Sequence, residues 1–154
     1  MDYVKRKQIR IKGFDYSSDN YYYVTICSHN KKHIFGMGND LTVYGRIAEN
    51  NLLNIHNYYD DVNVIKHVVM PNHIHAVISI GCDEAARKNP CPTLGNIVGA
   101  YKAEVTREIR KITPGYTVWQ ARFYEHIIRN EFDFEDIWTY IDENPIKWEN
   151  DDYY

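Results

Sequence analysis

At 154 residues the chain is long enough to bury one core and too short for two, so a single domain spanning 1–154 is expected. With 44% apolar and 25% charged residues, its composition excludes collagen-like, disordered and membrane-embedded classes; no apolar segment follows the basic start MDYVKRKQIRIK, so a soluble protein with no membrane partner is expected. A net charge of -3 excludes binding to nucleic acid through bulk charge alone.

Charge is nevertheless unevenly placed. Lys5, Arg6, Lys7, Arg10 and Lys12 crowd the start, whereas Glu149, Asp151 and Asp152 gather at the other end. A local basic patch is compatible with a negative total, and a solvated terminal arm is the alternative. The three cysteines, Cys27, Cys82 and Cys91, are odd in number and lack paired short spacing, which fits a reducing compartment, the cytoplasm by default. The 14 tyrosines are an excess whose aromatic faces suit stacking on unpaired bases and the rim of a core equally well.

In chain order, Tyr21 to Ser28 (YYYVTICS) is aromatic and β-branched and predicts a strand. Thr42 to Tyr58 carries Val43, Ile47, Leu52 and Ile55 near helical spacing and predicts a helix. Val62 to Met70 and His73 to Ile80 read as strands joined by the turn formers Pro71 and Asn72, hence an antiparallel hairpin. The segment Gly81 to Pro92 (GCDEAARKNPCP) is expected to be a mobile loop. From Thr93, a credible N-cap, to Ile112, residues Leu94, Ile97, Val98, Tyr101, Val105, Ile109 and Ile112 line one helical face. A strand from Val118 to Ile128 and a helix from Asp133 to Glu143, stopped by Pro145, complete the chain. The order βαββαβ plus a helix predicts an α+β fold of the ferredoxin-like split βαβ type. Its antiparallel sheet would carry helices on one face, with the extra C-terminal helix appended.

Two constellations carry chemistry. His73 and His75 flank Ile74 on a predicted strand, so alternation turns both imidazoles to one face and Ile74 to the other, which is half of a metal site. Strand histidines held by ordinary hydrogen bonds are the alternative. In the last helix Phe134, Ile137, Trp138 and Ile141 form the expected core stripe. An advance of about 100° per residue then sets Tyr140 and Asn144 together on its edge, one turn apart. This pairs a hydroxyl nucleophile with an amide oxygen; a rim tyrosine and a helix cap are the alternative.

The strings MPNHIHAVI (Met70 to Ile78), VWQARFYEHIIRN (Val118 to Asn130) and YIDENPIKW (Tyr140 to Trp148), in that order, resemble the REP-associated tyrosine transposases of bacteria. These form a branch of the single-tyrosine transposases that carry a His-hydrophobic-His motif, related to the insertion-sequence-200 type. The opening IRIKGFDYSSDNYYYVTIC is also similar, so the resemblance covers nearly the whole chain.

The resemblance implies a metal-dependent enzyme that cleaves and rejoins single-stranded DNA at hairpins through a 5′-phosphotyrosine. Tyr140 would be the nucleophile, and His73, His75 and Asn144 would be the ligands of Mg²⁺ or Mn²⁺. It leaves open whether the chain acts as a monomer or a homodimer. Arg6, Lys7, Arg10, Lys102, Arg107 and Arg129 are candidate phosphate contacts, with a solvated face as the alternative. His126 is a candidate proton shuttle near the metal or a structural histidine. A non-catalytic hairpin-binding relative and a metal-dependent hydrolase using water in place of Tyr140 are the competing functions.

Overall fold

A computed structural model describes residues 20–81 and 92–150. Arg6, Lys7 and Arg10 lie outside the described residues, as does the loop expected after Gly81.

Among the described residues, four strands build one antiparallel sheet: β1 (Asn20–Cys27), β2 (Val62–Met70), β3 (His73–Ile80) and β4 (Tyr124–Ile128), in the spatial order β2-β3-β1-β4. Pro71 and Asn72 join β2 to β3, pairing Met70 with His73 and Val68 with His75. β1 enters between β3 and β4, so Thr25 lies beside His75 on one side and Tyr124 on the other. The split βαβ arrangement expected from the element order is the one observed.

Helices α1 (Val43–Leu53) and α2 (Leu94–Ile112) cover one face of this sheet. Tyr22, Val24, Ile26, Ile74, Ala76 and Ile78 pack there with Leu52, Ile97, Val98, Tyr101 and Val105. The opposite face carries α3 (Glu131–Glu143), where Ile137 and Ile141 pack on Tyr23, Val77, Tyr124 and Ile128. The C-terminal helix is thus a third layer rather than an extension of the helical layer on the first face. This explains the unbroken burial from Tyr22 to Cys27, since a central strand covered on both sides has no solvent face to fill with polar residues.

Local signals set most helix boundaries. The Thr42 hydroxyl accepts from Gly45 N at 3.0 Å and starts α1. The helix ends at Leu53, five residues short of the expected Tyr58, because the chain turns at Asn54 (φ -97, ψ 6) into a 3-10 turn over Ile55–Asn57. Thr93 caps α2 by accepting from Asn96 N at 3.2 Å, and Arg110 and Lys111 occupy the last turn, where they suit the helix dipole. Ile112, placed by periodicity on the apolar face, is exposed at the helix end. Tyr101 donates to Ala48 O at 2.8 Å and ties α2 to α1.

The strand expected from Val118 is shorter than its sequence pattern. Regular pairing begins at Tyr124; Trp119 makes only an isolated bridge to Ser28, and Gln120 N donates to Cys27 O at 3.0 Å. Val118 and Trp119 are instead buried with Phe35 and Tyr101 in the core beneath α1 and α2, so they read as strand residues without forming one. Trp138 also departs from expectation. It leaves the core stripe for the rim, 36% exposed, stacking on Phe134 at 5.7 Å with the Lys66 ammonium 4.1 Å above its ring. Among the described residues no helix is long and apolar enough to cross a membrane.

Candidate active site

The alternation of β3 sends His73 and His75 to the α3 face and Ile74 into the core under α1 and α2. The two imidazole centroids are 4.5 Å apart and both side chains are fully buried. Tyr140 reaches this pair from α3, its ring 5.5 Å from that of His75 and 6.5 Å from that of Tyr23. Asn144, at the C-cap of α3, keeps helical dihedrals (φ -56, ψ -47), so its carboxamide stays one turn beyond Tyr140 and is buried against the imidazoles.

Each imidazole is oriented by a partner on a neighbouring strand or turn. Asn72 Oδ1 lies 2.7 Å from His73 Nδ1, while its Nδ2 donates to Lys31 O at 3.4 Å. That second bond sets the amide orientation and makes Oδ1 the acceptor, so Nδ1 of His73 carries the proton and Nε2 carries the ring lone pair. Nδ1 of His75 is 2.9 Å from Tyr23 Oη and 2.8 Å from Thr25 Oγ1. Here too Nδ1 is engaged by side chains, both of them from β1.

Burial pushes the His73 pKa down to about 3, opposed by the Asn144 side chain and reinforced by the positive charge of Lys31 and His33. His75 is held well below the usual range, first by burial and then by His73, again with Asn144 opposing. Both rings are therefore neutral at pH 7, the form that binds a metal without first losing a proton. Among the described residues no three His, Cys, Asp or Glu side chains come together, so any metal here would be shared between imidazole and amide ligands.

The remaining candidates lie elsewhere. Lys102 and Arg107 are on α2, which packs on the face opposite the histidines, although the Lys102 ammonium reaches the strand end where Cys27 pairs with His73. Burial lowers the pKa of Lys102, whose ammonium donates to Gln120 O at 2.7 Å; Arg107 pairs with Glu104. Arg129 follows β4 at the far end of the sheet, where Ile128 pairs with Tyr21, and is exposed. His126 faces α3 but bonds Asp133 at 2.7 Å near the start of that helix, which gives it a structural partner rather than a place beside His73.

Residues not singled out by their own sequence signal complete the site. Asn72 reads as a turn former, and Tyr23 and Thr25 as ordinary strand residues; their role depends on the register between β1 and β3. Trp148, four residues beyond Asn144, places its ring 5.8 Å from His73 and 5.5 Å from His33.

Two solved structures share the fold. A REP-associated tyrosine transposase whose structure was solved bound to a REP hairpin matches with a TM-score of 0.61 and 19% identity, over 93% of this chain and 74% of that chain. A candidate transposase from Deinococcus radiodurans R1 matches with a TM-score of 0.54 and 15% identity, over 88% of this chain and 97% of that one. The chain has the fold of these transposases. In sequence it is 35% identical over 167 aligned positions to an uncharacterised protein of Haemophilus influenzae, covering 97% of this chain and 93% of that one, and it belongs to that protein's family. No family model matches the sequence.

Proposed function

We propose that this protein cleaves and rejoins single-stranded DNA at hairpins, with Tyr140 as nucleophile and with His73, His75 and Asn144 holding a divalent metal. The observation that carries this reading is the convergence on one buried face of two neutral imidazoles, an amide oxygen and a tyrosine ring from two segments distant in sequence. The transposase fold supports it, as does the REP hairpin bound by one protein of that fold.

The donor set fits a divalent ion. Nδ1 of both rings is held by protein hydrogen bonds, which aims Nε2 at the ligand. The Asn144 side chain is buried and hydrogen-bonds to both imidazoles, which sets its amide beside the nitrogens that would hold the ion. Two nitrogens and one oxygen suit Mn²⁺ on ligand softness, and Mg²⁺ is the alternative through its preference for oxygen. When bound, the ion would supply positive charge to the non-bridging oxygens of the scissile phosphate, where charge builds during attack.

The chain's own part is positioning. The α3 backbone sets the Tyr140 ring beside that of His75, and in the proposed step the bond from the Tyr140 oxygen to phosphorus forms as the phosphorus–O3′ bond breaks. The tyrosyl proton passes through solvent and the departing O3′ gains one, leaving a 5′-phosphotyrosine and a free 3′-hydroxyl. One ester replaces another, so a 3′-hydroxyl can reverse the step and join strands without an external energy source.

The test is a denaturing gel of the protein incubated with Mn²⁺ or Mg²⁺ and labelled hairpin oligonucleotides. A covalent adduct is expected from the wild type, none from Tyr140→Phe, and none from His73→Ala. An identical adduct in Tyr140→Phe overturns the nucleophile. Cleavage that persists in Tyr140→Phe without an adduct means hydrolysis by water, and hairpin binding with no adduct in the wild type means a non-catalytic binder.

A further inference from the structure

Beside the histidines lies a basic turn that the proposed chemistry does not use. It runs from Ser28 to His33 (SHNKKH), with Lys31, Lys32 and His33 all exposed. Asn30 and Lys31 both have positive φ, 55 and 54°, a conformation that residues other than glycine rarely adopt, least of all in succession. Nothing in the chemistry of a lysine favours it, so the surroundings must impose it.

Those surroundings are the candidate site. Ser28 N donates to Asn72 O at 2.9 Å, the Ser28 hydroxyl donates to Lys32 O at 2.7 Å, and the Asn72 side chain donates to Lys31 O at 3.4 Å. Asn72 is also the residue that orients His73, so one side chain fastens the turn and the imidazole together. Lys31 and His33 are near enough for their charge to oppose protonation of His73. The Trp148 ring lies 5.8 Å from that of His73, and the His33 ring lies 5.5 Å beyond it from Trp148.

Tyr140 adjoins His75, whereas the turn and Trp148 adjoin His73, two residues nearer the hairpin end. A nucleic-acid strand leaving Tyr140 in the direction from His75 toward His73 would therefore run onto the turn. In a chain of net charge -3, exposed lysines there supply positive potential at the place a polyanion must pass. We propose that the Ser28–His33 turn is a phosphate-binding lip that holds single-stranded DNA through Lys31 and Lys32 beside the His73 edge of the site. This rests on the DNA-processing reading above, but concerns binding and requires no cleavage.

The test uses the full chain carrying Tyr140→Phe and a labelled oligothymidylate, with affinity measured across a salt series. Each lost lysine-phosphate contact on a single strand should flatten the slope of log affinity against log salt by about 0.7, so Lys31→Gln with Lys32→Gln should flatten it by about 1.4. Affinity at low salt should fall about tenfold. Lys32→Gln alone, at a residue with ordinary extended dihedrals (φ -66, ψ 138), should flatten the slope by about 0.7 and covers the case in which the double variant fails to fold. Lys111→Gln, exposed at the end of α2 on the other side of the sheet, should leave the slope unchanged. An unchanged slope in the lysine variants, or an equal change in Lys111→Gln, overturns the proposal. Lysine-dependent binding without an adduct from the wild type would remove the cleavage reading and leave this one standing; an adduct with lysine-independent binding would do the reverse.

Discussion

Asn72 accepts the Nδ1 proton of His73 at 2.7 Å while donating to Lys31 O, so a residue of the β2–β3 turn decides which nitrogen of the imidazole carries the lone pair. A role of this kind is measurable in metal affinity. Asn72→Leu should weaken Mn²⁺ binding about 10- to 100-fold by calorimetry, as loss of an orienting partner commonly does. Asn72→Asp keeps the acceptor and should bind within about tenfold of the wild type. Equal affinity in Asn72→Leu and the wild type would remove Asn72 from the site.

Two hydroxyls meet Nδ1 of His75 where the Asn72 amide meets Nδ1 of His73, and this predicts redundancy. Tyr23→Phe and Thr25→Val should each change Mn²⁺ affinity by only about threefold, because the other hydroxyl still engages Nδ1. The double variant should lose on the order of 30-fold or more, well beyond the product of the two single changes, a coupling that a double-mutant cycle would read directly. Strict additivity of the two changes would mean the hydroxyls act independently of the ring.

Stability should depend on pH with a definite sign. The folded-state pKa values of His73 and His75 lie below their unfolded value of 6.5, at about 3 for His73. Below pH 6.5 the unfolded chain takes up protons that the folded chain refuses, so stability is full above that pH and falls as pH drops toward 3. The slope is about 1.4 kcal/mol per pH unit for each ring that stays neutral. Urea midpoints of metal-stripped protein between pH 7 and 4 should fall steeply, and His75→Phe should flatten the fall. A flat profile would mean that the imidazoles are protonated in the folded state.

On the other face of the sheet, Gly45 marks a close approach of α1 to the preceding loop. A β-carbon there would overlap the Phe35 carbonyl oxygen, which already accepts from Thr42 N at 2.9 Å at the start of the helix. Gly45→Ala gains helix propensity yet should destabilise the protein by about 2 kcal/mol or more, because the overlap is with backbone that cannot rotate away. Thermal unfolding would show a lowered midpoint. A raised midpoint would indicate that the loop carrying Phe35 moves without cost.

Much of the architecture was legible because periodicity reports burial. The hairpin at Pro71 and Asn72, the Thr93 cap and the apolar stripe of α2 from Leu94 to Ile109 all appear where their patterns place them. Val118 and Trp119 misled for a related reason: burial in the core under α1 and α2 selects the same residue types as pairing in a strand. Trp138 misled in the opposite sense. A helix stripe predicts a direction, and the width of the contact decides how far from its centre a residue is covered.

Taken by itself, the sequence determined that His73 and His75 share a face and that Tyr140 and Asn144 lie one turn apart, since a strand repeats every two residues and a helix every 3.6. Local geometry carries both statements and needs no partner segment. Only the tertiary structure decided that α3 packs on the histidine face rather than joining α1 and α2, that β1 enters beside β3 to bring Tyr23 and Thr25 onto His75, and that the Ser28–His33 turn closes against Asn72. These are choices among segments some 40 to 70 residues apart, made by which apolar surfaces cover one another, and no local repeat encodes them.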